Sequence, residues 1–145
     1  MTQTPAEKAN MATVRKFFEV GPSKGDLAAA DALLAPGFSL YVPLPVTGPG
    51  IDAINNVITS CRAAFHGLNV TIEDMTADGD KVTCRFTARG EHKGEFMGLP
   101  PTGKPIAMTG IEIFRLEDGK ISELWGEANL MGLMQQLGIL PETTQ

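Results

Sequence analysis

The sequence predicts an α+β fold in which helices come first and a mostly antiparallel sheet follows. Two observations support this prediction. Up to about residue 65, apolar residues recur at the three- and four-residue spacing of helices. Beyond that point they alternate with polar residues at the two-residue spacing of strands. The chain has 145 residues, which suits one core, and we expect a single domain over residues 1–145.

Three helices and one short strand are predicted in the first half. The first helix ends at Gly21-Pro22, because glycine and proline both disfavour a continued helix. Asp26 is placed to cap a short second helix, which ends at Pro36-Gly37. A short strand over residues 38–42 and a proline-rich loop then precede a third helix over about residues 51–65.

Four strands and a final helix are predicted in the second half. The strands cover about residues 70–75, 81–89, 106–116 and 120–127. Asp118-Gly119 lies between the last two strands and is typical of a hairpin turn. The final helix covers about residues 130–137. A curved sheet wrapped around a long helix would leave an internal, cone-shaped cavity.

Composition limits the partners and the compartment. The formal charge of −5 and the pI near 5.0 argue against nucleic acid or an anionic membrane as partner. No apolar run approaches the ~20 residues that span a bilayer, and no secretory signal opens the chain. We expect a cytoplasmic protein in which Cys61 and Cys84 are reduced, buried thiols.

The run from Gly90 to Lys104 is the most distinctive segment of the sequence. It is rich in glycine and proline, so it predicts an ordered loop between two strands, and Phe96, Met97 and Leu99 provide apolar anchors. Together with the residues that follow it, this loop resembles the SnoaL-like polyketide cyclase family, which has the nuclear-transport-factor-2-like fold. The resembling segments are RGEH (89–92), GEFMGLPPTGK (94–104), TGIEIFR (109–115), EDGKI (117–121), ELW (123–125) and LMGLMQQLG (130–138).

The resemblance implies a cone-shaped pocket, no cofactor and a homodimer formed through the outer face of the sheet. It also implies ring closure of a polyketide by intramolecular aldol chemistry. In the family an Asp commonly lies four residues after the tryptophan, where it is a candidate acid or base. Here that tryptophan is Trp125 and the position holds Asn129, whose amide can donate a hydrogen bond but cannot exchange a proton at neutral pH.

Ring closure needs a base for an activated C–H group and a donor for the developing oxyanion. Glu127 is the nearest carboxylate to Asn129, and we expect it to carry the proton, supported by His92, Asn129 and Glu112. Both glutamates lie in otherwise apolar strand segments, although either could instead lie on the outer face of the sheet. His92 ends the third strand, where it could move a proton or simply brace the loop.

Apolar and aromatic residues are expected to line the substrate pocket. The candidates are Tyr41, Phe86, Phe96, Met97, Leu99, Met108 and Trp125. Core packing is an equally good explanation for Trp125, and alternation alone leaves open which strand face points inward. No metal site is expected, because neither histidine belongs to a metal-binding motif.

The sequence thus predicts cofactor-free cyclisation or isomerisation of a small, polyketide-like molecule in an apolar cavity. Two alternatives remain at this stage. One is an enzyme like the epoxide hydrolases or steroid isomerases that share the fold. The other is a ligand-binding protein that has kept the pocket without a reaction.

Overall fold

The computed structural model describes residues 2–141 and shows helices packed on one five-stranded sheet. The helices are α1 (Pro5–Phe18), α2 (Leu27–Asp31), α3 (Gly50–Ala64) and α4 (Leu130–Gln136). The strands are β1 (Leu34–Tyr41), β2 (Phe65–Asp78), β3 (Lys81–His92), β4 (Pro105–Glu117) and β5 (Lys120–Ala128). The predicted α+β class is confirmed.

The sheet is mixed and open. Its strand order is β1-β5-β4-β3-β2, so that β4 is the central strand. The β2–β3, β3–β4 and β4–β5 pairs are antiparallel, whereas β1 pairs with β5 in parallel. The predicted hairpin joins β4 to β5, and Asp118 (φ 51°) and Gly119 (φ 77°) both adopt the left-handed conformation that this tight turn requires. The sheet therefore has one long antiparallel part and one parallel edge.

Helix α1 forms as predicted, and it has a complete N-terminal cap. The Thr4 hydroxyl accepts the N–H of Glu7, while the Glu7 carboxylate accepts the N–H of Thr4. Pro5 is the first helical residue, where its missing N–H has no cost. Beyond α1 the chain makes one wider, π-helical turn over Glu19–Ser23, so the predicted stop at Gly21-Pro22 comes slightly later.

The second helix and the first strand differ from the prediction. Helix α2 begins after the Asp26 cap as predicted, but it ends at Asp31, and β1 already starts at Leu34. Pro36 therefore lies inside a strand rather than at a helix end. This is possible because β1 is an edge strand, where a residue without an N–H is tolerated, and the pairing with β5 is irregular around it.

The loop that distinguishes the sequence is shorter than predicted. Strand β3 continues to His92 and β4 begins at Pro105, which leaves residues 93–104 as the connection. Both ends of this loop are held by the backbone, because His92 exchanges hydrogen bonds with Gly103 and Lys104. At its tip, Phe96 and Leu99 pair through two backbone hydrogen bonds of 3.0 and 2.8 Å. The loop is thus ordered, as expected.

The core lies between the inner face of the sheet and helices α1 and α3. Phe114 on β4 is at its centre, with its ring 5.6 Å from that of Phe18 and 6.1 Å from that of Phe17. Phe86 on β3 continues the cluster, 5.9 Å from Phe18. These aromatic rings fill one end of the space under the sheet and leave the other end open as a cavity. No helix within residues 2–141 is long and apolar enough to cross a membrane.

Candidate active site

A cavity of about 130 Å³ lies between the inner face of the sheet and helices α1 and α3. Its walls are almost entirely apolar. The side chains come from α1 and the turn after it, the loop after β1, α3, the 93–104 loop, and all strands from β2 to β5. Because water gains few hydrogen bonds from such a surface, the cavity suits an apolar ligand. Three of the predicted pocket residues, Phe86, Phe96 and Met108, lie in this wall.

Glu112 is the acidic side chain inside the cavity. It lies in the middle of β4, between Cys84 on β3 and Gly126 on β5. No residue from 2 to 141 donates a hydrogen bond to its carboxyl group or forms an ion pair with it. Burial therefore acts alone, and it raises the pKa of Glu112 to about 8. A carboxyl group in this state exchanges protons near neutral pH.

Two free cysteines lie near the carboxyl group. Cys61 on α3 is half-buried and lines the cavity, and Cys84 is fully buried beside Glu112. Burial, followed by the charge of Glu112, raises the pKa of Cys61 to about 11 and that of Cys84 to about 12. Both thiols are consequently protonated at neutral pH and are poor nucleophiles there. The prediction of unpaired thiols is confirmed for both, whereas full burial holds only for Cys84.

A second pocket, of about 280 Å³, adjoins the cavity on the side of the 93–104 loop. The two share Leu44, Val57, Cys61 and Phe96, so these side chains lie between the outer pocket and the inner cavity. Its remaining walls are more polar and include Ser60 and Glu95. A ligand that enters from this side passes the ring of Phe96 before it reaches the inner cavity.

The loop residues contribute unequally to these two spaces. Phe96 is buried and borders both, while Met97 is 47 % exposed and lines only the outer pocket. Leu99 pairs with Phe96 in the tip of the loop and lines neither of the two spaces. Of the three predicted anchors, Phe96 therefore forms part of the inner wall, Met97 lines the outer pocket, and Leu99 supports the tip of the loop.

Glu127, the predicted proton carrier, belongs to the outer face of the sheet. It borders one end of the cavity, but it is exposed and is paired with Ile111, which is 52 % exposed. Residues directly opposite each other in an antiparallel pair point to the same side. The register pairs Glu112 with Gly126 rather than with Glu127, so the two carboxylates point to opposite sides of the sheet.

Trp125 and Tyr41, predicted to line the pocket, also lie on the outer face. They are register partners in the β5–β1 pair, and their rings stack 5.9 Å apart with an interplanar angle of 14°. The guanidinium of Arg115 lies 5.8 Å from the centre of the Trp125 ring. Tyr41 is 51 % exposed, so these rings form an outside surface instead of a cavity wall.

Asn129 caps helix α4. Its side-chain oxygen accepts the N–H of Gly132 at 2.8 Å, which satisfies a backbone group at the start of that helix. The residue is exposed and is not part of the cavity wall described above. The side chain of Asn129 therefore contacts the start of α4 and not the cavity, and its expected role as polar support for catalysis stays a prediction.

His92 braces the loop, which is one of its two predicted roles. It is fully buried, and its Nδ1 accepts the backbone N–H of Thr102 at 3.2 Å. The Thr102 hydroxyl lies 3.1 Å from the same nitrogen. The centre of the His92 ring lies 5.6 Å from that of Phe65, and the Phe65 ring in turn lies 5.0 Å from that of Phe96. His92 thereby connects the far end of the loop to the cavity wall.

The structure thus brings Glu112, Phe86, Phe96 and Met108 together around the cavity, with Glu127 at one end of it. The other predicted site residues lie outside this wall. Sequence reasoning missed Cys61, which borders both spaces, and Gly126, which faces Glu112. A glycine inside a central strand often marks a close approach, and this signal could have pointed to the inner face. Within residues 2–141 no three His, Cys, Asp or Glu side chains are placed to hold a metal ion.

Comparison with known proteins supports the same family as the sequence motifs. Residues 12–137 match the model of the SnoaL-like polyketide cyclase family. The chain is 28 % identical over 93 residues to aklanonic acid methyl ester cyclase DnrD of Streptomyces peucetius. That match spans 61 % of this chain and 62 % of the relative, so it leaves over a third of the curated protein unmatched.

Solved structures extend the likeness to nearly the whole chain. A candidate SnoaL-like polyketide cyclase from Jannaschia Sp. CCS1 superposes with a TM-score of 0.87 and 25 % identity, covering 97 % of this chain and 99 % of that one. IdmH, a candidate polyketide cyclase from Streptomyces antibioticus, gives 0.78 and 32 %, covering 89 % and 98 %. AclR, a candidate hydroxylase from Streptomyces galilaeus, gives 0.84 and 25 %, covering 96 % and 87 %. The chain belongs to the SnoaL-like polyketide cyclase family.

Proposed function

We propose that this protein cyclises or isomerises a small polyketide-like molecule without a cofactor, and that Glu112 carries the proton. The observation that supports this most strongly is a carboxyl group with a pKa of about 8 inside an apolar cavity. Such a group can take a proton from an activated carbon and return it to an oxygen in the same cycle. Glu112 replaces Glu127 as the leading candidate, because Glu127 is on the other side of the sheet.

Ring closure by this route is balanced without another reactant. The ionised carboxylate of Glu112 removes a proton from a carbon between two carbonyl groups. The carbanion attacks the carbon of a further carbonyl group elsewhere in the same molecule. This step forms a carbon–carbon bond and leaves an alkoxide. The protonated Glu112 then gives its proton to the alkoxide, so the product is an isomer of the substrate. Isomerisation follows the same course when the proton returns to a different atom.

The apolar walls favour this chemistry in two ways. They exclude water, which strengthens the interaction of the carboxylate with the acidic C–H group and protects a carbanion from solvent. They also fold a flexible substrate so that its reacting atoms meet. Opening of an epoxide by water requires polar groups that hold the water, and besides Glu112 the described cavity wall offers few. Hence cyclisation or isomerisation ranks above that alternative.

The test uses aklanonic acid methyl ester, the compound that appears in the name of the relative from Streptomyces peucetius. Purified protein is incubated with aklanonic acid methyl ester, and the products are separated by liquid chromatography with mass detection. We expect a new product of unchanged mass, because an intramolecular aldol step neither adds nor removes atoms. Glu112→Gln should lower its rate by roughly 10²- to 10⁴-fold, as expected for the loss of a general acid–base.

Glu127→Gln is the matched control, since it makes the same change on the outer face of a neighbouring strand. It should retain near-normal turnover. A product heavier by one oxygen would instead support the hydroxylase reaction for which AclR is named. Tight binding of the ester by wild-type protein without any product would support the ligand-binding alternative.

We also propose that the protein is a homodimer formed through the outer face of the sheet. Exposed Tyr41, Ile111 and Ile113 lie there beside Trp125, and a second copy would cover them. Ile111→Lys should shift the mass measured by light scattering from two chains to one. An unchanged mass in that variant would contradict the proposed interface. The net charge of −5 supports the further expectation that the protein does not bind nucleic acid. The free thiols of Cys61 and Cys84 support the expectation that it is cytoplasmic.

A further inference from the structure

Gly126 lies directly opposite Glu112 on the inner face of the sheet. The two residues are register partners in the β4–β5 pair, and both line the cavity. A Cβ atom at position 126 would come within 2.9 Å of the Glu112 Oε2 and 3.3 Å of its Cγ. Real Cβ atoms are essentially never found at the shorter of these distances. The carboxyl group therefore occupies the space that a side chain at position 126 would need.

The backbone does not explain why this position is glycine. Gly126 does not adopt the left-handed conformation that only glycine tolerates well, in contrast to Gly119 in the hairpin turn. Glycine inside a strand costs stability, because it orders a flexible backbone and packs no side chain. Gly37 on β1 provides a comparison, since a Cβ there would meet no atom within 4 Å. The special feature of Gly126 is thus its contact with Glu112.

Packing also has to hold the Glu112 carboxyl group in place. Within residues 2–141 it has no hydrogen-bond or ion-pair partner that could fix its direction. Its neighbours on the adjacent strands are Cys84 on one side and Gly126 on the other, and Val42 lies beside Gly126. A carboxyl group displaced from this position would move away from Gly126.

We propose that Gly126 is the positioning residue of the site: its missing side chain forms a socket, bounded by Val42, in which the Glu112 carboxyl group sits. The proposal rests on the role of Glu112 in the proposed function. Its physical content is a direct coupling between positions 112 and 126, which exists whether or not a substrate is turned over. The tests below therefore measure stability and ionisation rather than activity.

The first test is a double-mutant cycle on unfolding by urea. Gly126→Ala should lower the midpoint, because the added methyl group displaces the Glu112 carboxyl group, and the loss should be small because Oε2 is the end of a flexible side chain. In the Glu112→Ala background the same change should cost less than half as much, because the socket is then empty. Gly37→Ala is the matched control and should give equal small effects in both backgrounds.

The cycle also decides the case in which Gly126→Ala fails to fold. The double variant Gly126→Ala with Glu112→Ala should then fold, and its failure would overturn the proposal. An equal loss in both backgrounds would overturn it as well. So would relief of the loss by Val42→Ala alone, because Gly126 would then accommodate Val42 instead of the carboxyl group.

The second test separates positioning from a purely structural role. Protein labelled with ¹³C at the glutamate carboxyl carbons is titrated by NMR, and the Glu112 signal is assigned by its loss in Glu112→Gln. Its midpoint should lie near pH 8 in the wild type and in Gly37→Ala. In Gly126→Ala it should move by half a pH unit or more, and an unchanged midpoint would contradict positioning. If Glu112→Gln kept full turnover, the proposed function would fail while both of these results could still stand.

Discussion

At the scale of single residues, the environment of Glu112 decides its chemistry. Its carboxyl group is surrounded by apolar side chains and thiols, so the charged form loses the solvation it had in the unfolded chain. The neutral form is favoured until the pH reaches about 8. This arrangement keeps the proton available for transfer, and it also links the stability of the fold to pH.

The first prediction concerns that link. The pKa of Glu112 is raised from 4.5 in the unfolded chain to about 8 in the folded one. The contribution of protonated Glu112 to the free energy of unfolding is therefore complete below about pH 4.5. It is lost as the pH rises from there through about 8. Relative to Glu112→Gln, the wild type should therefore lose on the order of 4 kcal/mol between pH 4.5 and 8.5.

Urea unfolding at a series of pH values measures this difference. The Glu112→Gln curve should be flatter than that of the wild type over this range. Glu127→Gln is the control, since it makes the same change at an exposed position of the neighbouring strand. Parallel curves for the wild type and Glu112→Gln would show that Glu112 titrates normally in the folded state.

A second prediction concerns Asn129. Because its side chain caps α4, Asn129→Ala should lower the free energy of unfolding by about 1 kcal/mol, while Asn129→Asp should be close to neutral. Neither variant should change turnover more than a few-fold. Thermal unfolding and the cyclisation assay check the two statements. A large loss of activity in Asn129→Ala at full stability would return this residue to the catalytic site.

At the scale of elements, the 93–104 loop is held by a buried histidine. Replacing His92 with leucine removes the acceptor for the Thr102 N–H, whereas asparagine can present an oxygen near the position of Nδ1. We expect His92→Leu to lower the free energy of unfolding by about 1 to 3 kcal/mol, with a smaller loss for His92→Asn.

Hydrogen exchange at the Thr102 amide reports on this contact directly. Exchange should be much faster in His92→Leu than in the wild type and intermediate in His92→Asn. Thr102→Val is a useful control, because it keeps the backbone N–H and removes only the hydroxyl group. Equal protection of the amide in all variants would mean that the backbone contacts of Gly103 and Lys104 hold the loop without His92.

Elements with a strong local pattern could be predicted from the sequence. Helix α3 and the β4–β5 hairpin lie within a residue or two of their predicted positions, because amphipathic spacing and an Asp-Gly turn specify them locally. Strand β1 could not be predicted as well. The strand begins early because Leu34 pairs with Ile121 on β5, and the pairing resumes at Ser39 after an irregular stretch. This tertiary contact overrides a local pattern that ends at Pro36-Gly37.

At the scale of the whole molecule, the sequence could identify the family and the presence of a cavity but not the face that lines it. Both faces of β4 carry large apolar residues, with Phe114 inside and Ile111 and Ile113 outside. Alternation alone therefore gives two equally apolar sides. The pairing of β4 with β5 is also irregular between Arg115 and Leu116, which shifts the phase of one strand relative to the other.

The misplaced site residues follow from this one ambiguity. Trp125 is the only tryptophan, and an inward orientation would have brought Glu127 with it. The structure turns this set outward, where Tyr41 stacks on the tryptophan and Arg115 covers it. The inner face then carries Glu112, Gly126 and Ala128, and the cavity exists because small residues leave room there.

The most direct test of the central claim is the exchange of the acidic C–H proton of aklanonic acid methyl ester with D₂O. Mass spectrometry measures the deuterium taken up by the ester. Wild-type protein should accelerate deuterium uptake, with a rate that rises with pH to a plateau above about 8. Glu112→Gln should abolish this acceleration, and Glu127→Gln should preserve it. Two results would contradict the assignment of Glu112 as the proton carrier. One is deuterium uptake by Glu112→Gln at the wild-type rate, and the other is loss of the acceleration in Glu127→Gln alone.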